Sequence, residues 1–415
     1  MFPRIGTRDV NWAMPARVLS NLLSFLDSGC RQASQKFAHL WAGIFVTGLS
    51  LLALSCNGGF PSSGGGGGGG TTPSAKDAVY LGSSSGQVLT LIFDTGSGTL
   101  GSPTTIAGPA SGTDFKVYPG GGFLYVSDFN TGSVYAYSIN GSTGALTPVS
   151  GSPFSHSGLN GHGGPMAINP AGTYLFLSDS GGTIVSFTIN SQSGLLMPNT
   201  AAGPVSDSHQ PGYLLVDSTG KFLIASNSAD SSGQNYSVFS INSSTGVLIE
   251  ATGSPFTFGQ NTKPEQILLN SGNSVLYAAL SNSQQVNAIN FDANTGRLTA
   301  IQGAPYAAGA MPTSIALSPS GAFLYAGNLG ADTVQQYGVN ASTGALTVGN
   351  IFQVGNPSFL DIDPSGQFLL IVGESAGTLQ VLRVNSTTGA LTPGNTTNLP
   401  AGANVRAASY LVPLQ

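Results

Sequence analysis

Apolar residues in this chain fall into short runs rich in Val, Ile, Phe and Tyr, separated by clusters of Gly, Pro, Ser and Asn. Residues 312–348 show the unit: Ser314-Ile315-Ala316-Leu317, a turn at Ser318-Pro319-Ser320-Gly321, then Ala322-Phe323-Leu324-Tyr325-Ala326. A polar loop leads to a third run over 333–339, a turn over 340–344 and a short outer run from Ala345. These are strand-length segments with turn chemistry between them, and no stretch after residue 76 keeps helical periodicity over several turns. The unit is predicted to be a four-stranded antiparallel meander. Proline presets φ in its tight turns, while Gly and Asn tolerate positive φ.

The turn before the outer run recurs along the chain as Ser/Thr-Gly-x-Leu, with its glycine at Gly98, Gly144, Gly194, Gly246, Gly296, Gly344 and Gly389. A spacing near 50 residues marks a circular array. One four-stranded unit cannot bury both its faces, so such units pack face to face around an axis. The pattern therefore predicts an all-β fold, a seven-bladed β-propeller of four-stranded antiparallel blades over residues 76–415. Second strands are anchored by Phe123, Tyr174, Phe222, Val275, Phe323 and Phe368, with a seventh at Val79 to Leu81, but only six complete first strands precede them. The missing one is expected from residues 406–412, which end at Pro413 as residues 314–318 end at Pro319. That C-terminal strand would join the first blade, close the ring and remove an open edge.

The first 56 residues do not belong to the repeat. Arg31 and Lys36 precede an apolar run over 37–55, and Cys56 follows Ala53-Leu54-Ser55. This resembles a bacterial lipoprotein signal, with Cys56 the lipid attachment residue, although Ala53 stands where Leu is usual; an uncleaved signal anchor is the alternative. Residues 57–75, with Gly64 to Gly70 unbroken, suit a flexible tether. The true start at Met1 or Met14 is left open. An extracytoplasmic, membrane-anchored monomer is expected, touching the membrane only through this anchor. Cys30 and Cys56 are the only cysteines, so disulfides and Cys-ligated metals are excluded from the propeller.

Charge narrows the partners. Only 7% of residues are charged, and from Cys56 onward seven Lys and Arg face fifteen Asp and Glu. Phosphate binding needs a basic stripe, so nucleic acid is excluded as a partner. No hydrolase elbow, zinc-protease helix or phosphate loop is present.

Loops entering the innermost strands of a propeller converge at one mouth of its channel. Counting back from the Pro319 position places His162, Gln210, Lys263, Met311 and Asn356 eight residues before it, and Thr113, Glu265, Thr313 and Ser358 six before. Asp114, His209 and Arg406 lie within one place of these rings. Asp128, Asp179, Asp230, Asp332 and Glu374, on the loops joining second to third strands, are expected to cap turns, with a Ca²⁺ site as the alternative.

The phrases Pro319-Ser320-Gly321-Ala322-Phe323-Leu324-Tyr325 and Asn340 to Thr347 resemble the repeats of the lactonase family of seven-bladed propellers, which includes 6-phosphogluconolactonase-like proteins and is close to YVTN-type repeat propellers. The resemblance covers residues 76–415. Many members carry His-Pro-His before one innermost strand; this chain has His162-Gly163-Gly164, matching only the first histidine. The resemblance implies hydrolysis of a lactone without a metal or cofactor. Rim position then offers Glu265 or His162 as general base, Arg406 or Lys263 to stabilise the oxyanion, and His209, Asp114 and Gln210 for binding. A small lactone or sugar-like ligand is the expected partner. The alternative is a noncatalytic surface module for a carbohydrate or protein.

Overall fold

Each second strand is buried along almost its whole length because both its faces are covered. In the computed structural model, which describes residues 76–83, 85–159, 162–207, 209–228, 233–400 and 411–414, Phe323–Asn328 shows why. Leu324 and Ala326 point into the cluster shared with the preceding blade, while Tyr325 points into the cluster shared with the next. Period-two alternation thus feeds two cores from one strand.

The described residues form seven antiparallel sheets in meander order. In four of them the outermost strand is split in two, as where Thr99–Leu100 and Thr104–Ala107 both pair with Gln87–Asp94. Blade 1 begins at Lys76–Ser83, and blades 2 to 7 begin with inner strands Gly112–Val117, Gly163–Ile168, Pro211–Val216, Pro264–Leu269, Pro312–Leu317 and Pro357–Ile362. The inner strand of blade 1 is C-terminal: Leu411–Pro413 pairs antiparallel with Lys76–Ser83, Asp77 opposite Pro413. The expected closure is therefore present at 411–413; residues 401–410 lie outside those described.

Among the described residues the core divides into seven hydrophobic clusters, one at each seam between neighbouring blades. The recurring phrase now has a physical cause. Its glycine sits at positive φ, +69° to +74°, and abuts the start of the preceding blade's second strand. A Cβ on Gly144, for instance, would lie 2.8 Å from the Cβ of Ala78. At four seams a buried tyrosine also donates to that glycine's carbonyl: Tyr80 to Gly144 (2.8 Å), Tyr125 to Gly194 (3.0 Å), Tyr277 to Gly344 (2.9 Å) and Tyr325 to Gly389 (2.8 Å). The repeat thus marks the contact that joins each blade to the next.

Candidate functional site

Every inner strand of blades 2 to 7 carries an irregularity near its start, where two residues face one on the partner strand. Such a bulge re-aims side chains. Beyond it, the next position is buried between blades (Phe115, Met166, Leu214, Ile267, Ile315 and Leu360, none above 1% exposed). At the bulge, two consecutive positions line the channel instead: Thr113, Glu265, Thr313 and Ser358 at the first, and Asp114, Tyr213, Gln266 and Phe359 at the second. Together they wall a cavity of about 400 Å³ at one mouth of the channel. The ring counted six places before the Pro319 position is thus the cavity wall.

Glu265 puts a carboxylate on that wall. Its Oε1 meets the Lys263 ammonium at 2.9 Å and accepts the Ser281 hydroxyl at 2.9 Å. Lys263 holds a left-handed backbone, φ 50°, directly before Pro264, and Met311 and Asn356 repeat that conformation at the equivalent place in the next two blades. Non-glycine residues pay on the order of 1 kcal/mol for it. Here it sets the residue at the rim, and the long side chain returns to Glu265.

Asp114 is tied into the frame. One oxygen takes the Lys116 ammonium at 2.9 Å and the other the Met166 N–H at 2.7 Å in the next blade, while Lys116 lies 4.7 Å over the Tyr213 ring. Gln266 does the same at the seam of blades 5 and 6, accepting the Ile315 N–H at 3.0 Å. These residues line the cavity and link blades at once. Gln210 also lines it, its amide donating to the Ser180 carbonyl.

The two histidines sit differently. His162 is exposed and its ring stacks on Phe129, centroids 4.5 Å apart and planes within 12°. His209 has Nδ1 at 2.6 Å from the Asp207 carbonyl and 3.7 Å from the Asp207 carboxylate, with Nε2 at Gln234. Burial pushes the Asp207 carboxyl up to about 6, against the smaller opposing influence of Ser237 and His209. Arg406, Asp230 and Cys56 lie outside the described residues.

Asp179 and Asp128 cap turns on the joining loops, while Asp332 bridges to the loop entering the next inner strand. Asp179 accepts the N–H groups of Gly181 (2.9 Å) and Thr183 (2.7 Å), Asp128 the Thr131 hydroxyl (2.8 Å), and Asp332 the Asn356 N–H (3.0 Å). Among the described residues no three His, Cys, Asp or Glu side chains gather as a metal site would require.

Comparison with known families decides the affiliation. The model for the family "Lactonase, 7-bladed beta-propeller" matches residues 74–407. The chain belongs to this lactonase family. Its fold is shared with a Bacteroides fragilis protein provisionally named a 6-phosphogluconolactonase (22% identity, 83% of this chain and 100% of that one, TM-score 0.70). A Bacteroides uniformis protein of the same provisional name is similar (20% identity, 81% and 99%, TM-score 0.71). So is the periplasmic gluconolactonase of Pseudomonas aeruginosa (16% identity, 82% and 100%, TM-score 0.69). No curated protein matches the lactonase-family chain.

Sequence reasoning missed a third ring. In blades 2 to 5 the residue just after the second strand also reaches the mouth: Phe129, Ser180 and Ser228 line the cavity, and Ser281 holds Glu265. Main-chain bonds fix this ring to the one counted eight places before Pro319, as from Phe129 N–H to Ser111 (2.8 Å) and Ser180 N–H to His162 (2.8 Å). Carrying the repeat register one residue past the strand would have found it.

Proposed function

We propose that this lactonase-family propeller is an exported, lipid-tethered hydrolase that opens a sugar-type lactone at the mouth of its channel. The observation that carries the reading is Glu265 on the cavity wall, with Lys263 and Ser281 both on Oε1 and no protein partner on Oε2 among the described residues. In this scheme Oε2 takes a proton from water as the water oxygen attacks the lactone carbonyl. The ring C–O bond then breaks, and the proton passes to the departing alkoxide. Lys263 offers positive charge to the developing oxyanion, and Arg406 shares that role on repeat register alone. Gln210 and the hydroxyls of Thr113, Thr313 and Ser358 supply hydrogen bonds for a polyhydroxylated substrate. Asp114 acts through Lys116 and the blade link. His209 positions the loop that carries Gln210, and His162 supports Phe129.

The test is a panel of sugar lactones assayed with wild type and Glu265→Gln. Loss of the base should lower kcat/KM by roughly 10²- to 10⁴-fold with folding intact. Turnover indifferent to the change would remove Glu265 from the chemistry. If wild type turns over no lactone, the polar and aromatic lining supports the second reading, a noncatalytic carbohydrate-binding face. For the tether, the mature N-terminal peptide should carry diacylglycerol on Cys56 by mass spectrometry, and an intact 1–56 segment would defeat that part.

A further inference from the structure

The third ring contains one aromatic residue among its described copies. Ser180, Ser228 and Ser281 in blades 3 to 5 are small and polar, and Leu329 and Glu374 follow in blades 6 and 7, whereas the same place in blade 2 holds Phe129, 37% exposed on the cavity wall. The side chain is not loose. Its N–H donates to Ser111 (2.8 Å), its carbonyl accepts the Gly163 N–H (3.0 Å), and its ring is backed by His162. His162 is itself pinned, its N–H on the Ser180 hydroxyl (3.0 Å) and its carbonyl on the Ser180 N–H (2.8 Å). An apolar ring kept in water by a braced histidine, on the same cavity wall as Gln210 and Glu265, is a preorganised flat surface. Its π face is electron-rich and attracts the slightly positive C–H bonds of a saturated ring whose hydroxyls point outward to hydrogen-bonding groups.

We propose that the Phe129 ring, braced by His162, is the platform on which the ligand's six-membered polyhydroxylated ring lies, so that the site selects a cyclic, pyranose-like form over the open chain. This rests on the mouth being the ligand site, and it deepens the reading above by naming the ring as what is recognised. Phe129 is a binding residue here, with no part in proton transfer.

Two measurements test it. In steady-state hydrolysis of glucono-δ-lactone, Phe129→Ala should raise KM roughly five- to tenfold while kcat stays within about twofold, as expected for losing one aromatic contact. Phe129→Tyr should restore KM, and Phe129→Leu, which keeps apolar bulk without a π face, should behave like the alanine variant. In saturation-transfer NMR, the ring C–H protons of anhydroglucitol should receive magnetisation from wild type and Phe129→Tyr but not from Phe129→Ala, and open-chain glucitol should receive none. Phe129→Ala matching wild type in KM and in saturation transfer would overturn the platform, as would glucitol binding as well as anhydroglucitol. If no lactone is hydrolysed, the lactonase reading fails alone, and the NMR comparison still decides the platform.

Discussion

Blade 1 has two seams, and they are built differently. Toward blade 2, Tyr80 donates to the Gly144 carbonyl and Ala78 packs against Gly144, the arrangement that recurs around the ring. Toward blade 7, where the ring closes, the tyrosine position is Leu370 and has no hydroxyl to give. There Arg383 donates to the Ser97 carbonyl at 2.6 Å and lies 5.0 Å over the Phe368 ring, while Phe93 meets Phe368 edge-on at 5.4 Å. The alternation that sends Val79 and Leu81 into this seam also sends Asp77 there. Asp77 is buried with Oδ2 unpartnered; burial, reinforced by nearby Asp363, pushes its carboxyl up to about 6. An ordinary seam adds an interchangeable hydrogen bond at the repeat glycine to its apolar cluster. The closing seam joins chain segments from opposite ends of the sequence, uses its own contacts, and carries an electrostatic cost.

The largest blow to this contrast should come from Gly144→Ala. The new Cβ sits at positive φ and meets the immovable Cβ of Ala78, so about 3 kcal/mol of stability should be lost in denaturant titration. Gly321→Ala is the control, also at φ 70° but with open space around it, and should cost only about 1 kcal/mol. Equal losses would mean that backbone conformation alone, and not the seam, requires the glycine.

Asp77→Asn should act in the opposite direction at the closing seam. Because the folded-state pKa lies above the unfolded one, the folded state holds its proton more tightly. The stability this brings is complete below about pH 4 and is lost as pH rises through about 6. The variant should therefore gain roughly 1 to 2 kcal/mol over wild type at pH 7 and nothing at pH 4. A gain independent of pH would place the effect elsewhere.

Tyr80→Phe should have the smallest effect, about 1 kcal/mol from a buried carbonyl left without its donor. Seams that lack the tyrosine show that the bond is dispensable. The seam of blades 3 and 4 replaces it with Asn199 donating to the Thr245 carbonyl at 2.8 Å.

The fold was readable in the chain because one seam contact is written seven times, and counting strands exposed the borrowed C-terminal one. The mouth was readable in part. Register located Glu265, Lys263, Gln210 and Asp114 but gave no reason to pair Glu265 with Ser281, or to separate His162, stacked on Phe129, from His209, held between Asp207 and Gln234. Those pairings join residues from different strands and blades, and they depend on bulges and side-chain directions that no period encodes.

By itself, then, the sequence determined the blades, their number and the side on which chemistry gathers, since strand period, turn residues and repeat spacing are local properties added up along the chain. Only the tertiary structure decided which rim residues meet. Closing the ring brings residues about fifty positions apart within a few ångströms, and there contact follows side-chain geometry instead of sequence distance.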